Sequence, residues 1–178
     1  AAWVALADGG MSLDDIRAVF IASAEVIATI DPLVRIYEAA FGRLPDQAGL
    51  EGWATEMRAG ATFLSIAEGF TNSPEFAARY PEVANGDLSG FVTGLYQRTL
   101  GRDPEAAGLE YWVTSGKSTA EILVGFSESQ EFHNRSEAQI DIFLSAVGQN
   151  NAPSPVYGLF DIGSSADLSG DVVDGKVA

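Results

Sequence analysis

The 178-residue chain has no cysteine, a single histidine, and only 10 lysines and arginines against 25 acidic residues. Without thiols there are no disulfides, no thiolate zinc sites and no cysteine nucleophile. The shortage of cations, with a formal net charge of -15, argues against a nucleic-acid partner, because phosphates need neutralising Lys and Arg. No apolar run reaches the roughly 18 residues of a membrane span. The longest, Ala18 to Ile30, is broken by Ser23 and Glu25. No basic segment precedes it, so it does not read as a signal peptide either. A phosphate-cradling glycine loop and a nucleophile elbow are also missing. The lone His133 therefore reads as a solvated helix residue, and no catalytic residue is expected.

What the chain does have is an internal repeat. Tyr37, Gly42, Arg43, Pro45, Gly49 and Trp53 recur 59 residues later as Tyr96, Gly101, Arg102, Pro104, Gly108 and Trp112. Trp3 opens a third, truncated copy, so the chain reads as a piece of a longer protein. A repeat of this period points to stacked helices. Partial copy 1–30, copy 31–82, copy 87–135 and a closing helix 136–148 make up the expected helical domain. Beyond it, Gln149 to Pro155 reads as a linker into a Gly-, Ser- and Asp-rich segment, 149–178, expected to be irregular or β-prone.

Each full copy reads as four short helices. Asp31-Pro32 predicts the cap and first turn of the first helix, with Leu33, Tyr37, Ala40 and Phe41 at helical spacing. Gly42 and Gly101 supply the left-handed residue that ends it. The second helix is expected to start at the proline, capped by Asp103 in the second copy, with Leu50, Trp53, Ala54 and Met57 as its apolar stripe. That stripe assigns the tryptophans to the core. Ser12, Thr62 and Ser118 stand eight residues before Phe20, Phe70 and Phe126 as N-caps of the third helix, and Ser118 with Glu121 forms a capping box. Ser23, Ser73 and Ser129 cap the fourth, followed by Glu25, Glu75 and Glu131 where the helix dipole favours acid. Ser136 with Gln139 predicts a further capping box for the closing helix.

The spaced pattern Gly-Arg-x-Pro, Gly-Leu-x-x-Trp and Phe-x-x-Ser-x-Glu-Phe, met by Tyr37 to Phe76 and again by Tyr96 to Phe132, resembles the domain of unknown function (DUF) 4214 family over about residues 1–133. Gly52 and Val26 depart from it. The resemblance implies a part of a secreted or surface bacterial protein of S-layer or RTX type, in calcium-rich surroundings, related to the helical linker domains of phycobilisomes. The calcium-binding Gly-Gly-x-Gly-x-Asp nonapeptide is absent.

The expectation is thus an all-α fold of tandem short-helix repeats and a non-enzymatic module for surface anchoring, adhesion or lattice assembly. Its partners are a cell-surface glycan or lipopolysaccharide, or copies of itself, with no insertion into a membrane. A protein–protein linker, or an accessory domain beside a catalytic one, is the alternative. Arg43 and Arg102 are the candidate glycan or anion contacts, because a guanidinium grips carboxylate and phosphate bidentately. The candidate calcium ligands are Asp46 and Glu105 after the prolines, Asn85 and Asp87 in a loop, and Asp171 and Asp174 in the tail. All are oxygen donors, the ligands calcium takes, though no EF-hand spacing joins them.

Overall fold

The computed structural model describes residues 9–12, 15 and 26–147. Trp3, Phe20, Ser23 and the whole segment 149–178, including Asp171 and Asp174, lie outside the described residues. Among the described residues the chain is helical and has no strand. A π-helical stretch, Val26–Ile30, runs into α1 (Asp31–Phe41). Then come α2 (Gln47–Arg58), α3 (Phe63–Thr71), α4 (Pro74–Arg79) and α5 (Pro81–Ala84). The second copy follows with α6 (Leu88–Leu95), a π-helical stretch Tyr96–Leu100, α7 (Ala106–Thr114), α8 (Thr119–Ser127) and α9 (Gln130–Val147).

Most boundaries follow from the caps read in the sequence. Thr62 accepts from Ser65 N, Ser73 from Phe76 N and Ser129 from Phe132 N. Ser118 and Glu121 close a complete capping box; in the truncated copy Ser12 Oγ accepts from Asp15 N and donates to Asp15 Oδ2, half of that arrangement. Gly42 (φ 66°) and Gly101 (φ 69°) end the first helices in the left-handed region.

Four boundaries differ from expectation. Asp31 does not cap α1: Ile30 holds that place without a side-chain bond, because the preceding π-helical stretch already carries the chain into the helix. The second helices begin two residues late. Asp46 caps α2 by accepting from Gly49 N at 2.9 Å, and Asp103 instead accepts from Gln97 Nε2 at 2.8 Å. Ser136 starts nothing. It is 1% exposed inside the unbroken α9, and its hydroxyl donates to the Phe132 carbonyl at 2.8 Å. The reason appears on aligning the copies. Ser136-Glu137 corresponds to Tyr80-Pro81, and the proline drives Tyr80 out of the helical region (φ -126°, ψ 66°). Copy one therefore breaks into α4 and α5, whereas copy two runs on.

α1 lies at the centre, with Leu33 to Tyr37, Ala39 and Ala40 all buried. Its apolar residues are covered by the neighbouring helices, while Asp31, Arg35 and Glu38 form a charged stripe at helical spacing along one face. The third helices of the two copies, α3 and α8, pack on one another, and α8 and α9 also pack on α1. Phe70, Phe76, Tyr80, Phe91, Phe126 and Phe132 fill the space between, each contributing about 2–3 kcal/mol by leaving water.

Candidate functional site

The recurring residues build the same structure twice. In copy one the Arg43 guanidinium bonds Glu75 through Nε–Oε1 at 2.7 Å and Nη2–Oε2 at 2.9 Å, and Nη1 reaches the Leu44 carbonyl at 3.2 Å. In copy two Arg102 bonds Glu131 at 2.6 and 2.8 Å and reaches the Asp103 carbonyl at 3.2 Å. A second carboxylate flanks each guanidinium: Asp46 at 3.6 Å from Arg43, and Glu105 at 2.7 Å from Arg102. The paired guanidinium holds the Glu75 and Glu131 carboxyls below the usual carboxylate range, Arg43 and Arg102 respectively supplying the largest cause. Both candidate anion contacts are thus engaged by carboxylates of their own chain, joining the end of the first helix to the start of the fourth. The two acids expected to serve the helix dipole are their partners.

Inside each clamp sits an aromatic stack. Tyr37 meets Phe70 edge-on at 4.7 Å, and Tyr96 meets Phe126 at 4.9 Å. Trp53 and Trp112 lean on the same phenylalanines at 5.3 and 5.2 Å. Both tryptophans are half-buried and packed against the core, so their rings do not form an open groove. Burial pushes the Tyr37 hydroxyl above its usual range, with the Asp46 charge acting in the same direction.

Of the candidate calcium ligands, Asp46 and Glu105 stand at matching corners of the two copies, with side chains 66% and 67% exposed. Asp87 caps α6 by accepting from Gly90 N at 2.8 Å, and the neighbouring Asn85 lies exposed at the end of α5. Among the described residues no three His, Asp or Glu side chains are gathered so as to hold a metal ion.

A second polar site was not foreseen. A cleft of about 270 Å³ opens between α1 and α9, lined by Asp31, Arg35, Asn134, Glu137 and Asp141 among others. His133 lines it too, half-buried rather than solvated. At its floor Arg35, 8% exposed, bonds Glu128 through Nε at 3.2 Å and Nη2 at 3.1 Å, and His133 Nε2 stands 3.5 Å from the same carboxylate. Burial raises the Asp31 carboxyl, against the pull of Arg35 and with the Asp141 charge adding to the rise. The sequence held one clue: the counterpart of Arg35 in the second copy is Gly94, so the charge is not part of the repeat.

Duplicated, clamped helical units stacked through their third helices define a helical-repeat protein. The family model for the domain of unknown function DUF4214 matches residues 33–80 and 67–136, and the chain belongs to that family. No curated protein and no solved structure matches the chain.

Proposed function

We propose that this chain is a non-enzymatic attachment module of a secreted or cell-surface protein, serving anchoring, adhesion or lattice assembly through calcium-assisted binding of glycan or lipopolysaccharide. The observation that carries the reading is the pair Asp46 and Glu105. Each stands at the same corner of its copy, with one carboxylate edge toward its arginine and about two thirds of the side chain in water. A divalent cation needs six to eight oxygens and readily completes its shell with waters and sugar or phosphate oxygens. Two such corners on one rigid body give a bivalent contact, which raises avidity without any new chemistry. The surrounding charge of -15 draws cations to the surface.

The test is sedimentation of the protein with purified envelope polysaccharide, with calcium and with chelator, for the wild type and for Asp46→Asn/Glu105→Gln. Binding lost both in chelator and in the double variant supports the reading. Binding indifferent to both rejects it. A protein–protein linker is the second reading, supported by the helix-on-helix seat between the two copies; it predicts capture of a protein partner with no polysaccharide present.

A further inference from the structure

The two copies differ at the place where a further copy would join. α8 and α9 of copy two seat on α1 of copy one. Arg35 marks that seat through its bidentate pairing with Glu128, the residue ending α8. Ala39, one turn further along the same face, is 0% exposed. The corresponding residues of copy two, 59 positions on, are Gly94 and Arg98: the arginine has moved by one turn.

Arg98 does not reach outward for a partner helix. Its guanidinium folds back over Gly94, where a Cβ would stand 2.5 Å from Nη1. It lies 5.0 Å from the centre of the Tyr80 ring and donates to Glu82 Oε1 at 3.1 Å. Neighbouring positions change in the same sense. Ile30 and Val34, both 0% exposed, correspond to the exposed Ser89 and the half-buried Thr93. Glu38, half-buried, corresponds to the exposed Gln97.

We propose that Arg98, paired with Glu82, seals this seat and makes copy two the terminal unit of the stack, so that no α3- or α8-type helix of a second copy of the chain docks on Leu88–Leu100. Docking there would strip water from the Arg98–Glu82 pair and from Ser89, Thr93 and Gln97 without supplying partners. Repeat arrays stay soluble by ending in units whose outer face is polar. This goes beyond the attachment reading: whatever the module binds, it does not do so by lengthening the stack at this end.

The test rewrites the seat. Gly94→Arg/Arg98→Ala gives copy two the pattern of copy one, and removing the arginine clears the space that a side chain at 94 needs. Sedimentation velocity and hydrogen exchange are read up to about 1 mM, enough to populate a millimolar contact. The double variant is expected to self-associate, with amides of 88–100 gaining protection as concentration rises. Adding Leu64→Glu should reverse this, since Leu64, 39% exposed on α3, holds the position that the seated α8 gives to Ala120, 3% exposed. Concentration-dependent protection of 88–100 in the wild type overturns the proposal. So does a double variant with wild-type helical circular dichroism that remains monomeric. If the double variant loses its helicity, Arg98→Ala alone is read by the same two criteria.

Discussion

A Cβ built on Gly125 would overlap the six-membered ring of Trp112, and the same collision holds between Gly69 and Trp53. In each copy the indole is thus seated on the bare backbone of the third helix, and the glycine is what admits it. Glycine inside a helix ordinarily costs about 0.5–1 kcal/mol relative to alanine, so substitution by alanine should help unless space forbids it. Here it does. Gly125→Ala and Gly69→Ala are each expected to destabilise by about 1–3 kcal/mol through overpacking. Gly52→Ala, on the outer face of α2 with nothing within 4 Å of its Cβ, should stabilise by about 0.5–1 kcal/mol. Thermal melts of the three variants decide the matter, and a stabilising Gly125→Ala would break the account of the stack.

Trp112→Ala removes the other half of that contact. Truncating a large core aromatic costs about 3–5 kcal/mol, and the half-burial of this indole places the expected loss near the lower figure. An unchanged melting temperature would show that the indole carries no core role.

How much of this was legible depends on how far each signal reaches along the chain. Thr62, Ser73, Ser118 and Ser129 announce their helices because a cap bonds a backbone N–H three residues away, a purely local matter. Gly42 and Gly101 are equally local. The tryptophan and phenylalanine could be assigned to the core by periodicity, but the need for Gly69 and Gly125 beneath the indoles could not, because the partners meet only in the packed fold. The clamp of Arg43 on Glu75 spans 32 residues, and that of Arg35 on Glu128 spans 93. No pattern within one copy points to either. Aligning the copies shows arginine and glutamate recurring, but not that they meet, which depends on how the first and fourth helices pack; it does mark Arg35 as the residue without a counterpart. The same alignment foretells the unbroken α9, because Pro81 has no counterpart in copy two.

Glu38 sets a pH dependence of unusual sign. Burial raises its carboxyl above the ordinary 4.5, with Arg135 pulling the other way, and its Oε2 is buried without a hydrogen-bond partner. A carboxyl whose folded pKa is raised binds its proton more tightly in the native state than in the unfolded one. Its contribution to stability is therefore fullest below about 4.5 and is lost as pH rises through the raised value. Glu38→Gln, which cannot ionise, should gain on the wild type as pH climbs from 4.5 toward neutrality. Urea unfolding at several pH values reads this directly, and a difference that stays constant with pH would contradict it.

The Arg43–Glu75 clamp should contribute little to stability despite its bidentate geometry. Its side chains are 41% and 47% exposed, so solvent screens the attraction. A double-mutant cycle over Arg43→Met and Glu75→Gln is expected to give a coupling of about 0.3–1 kcal/mol, shrinking as salt is raised. Because the guanidinium holds the Glu75 carboxyl below its ordinary 4.5, that coupling is present at neutral pH and fades as pH falls through the lowered value. A coupling of several kcal/mol, or one untouched by salt, would show that the clamp is far better shielded than its exposure implies.

The Arg35–Glu128 pair should behave differently, because only one partner is open to water. Arg35 is 10% exposed along its side chain and Glu128 34%. Removing the carboxylate leaves a guanidinium buried beneath α8 and α9 without its hydrogen-bonded counter-charge, an arrangement more costly than never having had the pair. Glu128→Ala is expected to lose about 1–3 kcal/mol, the lower part of the range for broken buried pairs because solvent reaches the glutamate. Replacing both residues, Arg35→Met with Glu128→Leu, should recover most of that loss, since apolar groups of similar size fill the seat without demanding a partner. Chemical denaturation of the two variants separates the cases. If the double variant is no more stable than Glu128→Ala, the ion pair is not what joins the two copies at this seat, and the apolar contacts around it carry the joint alone.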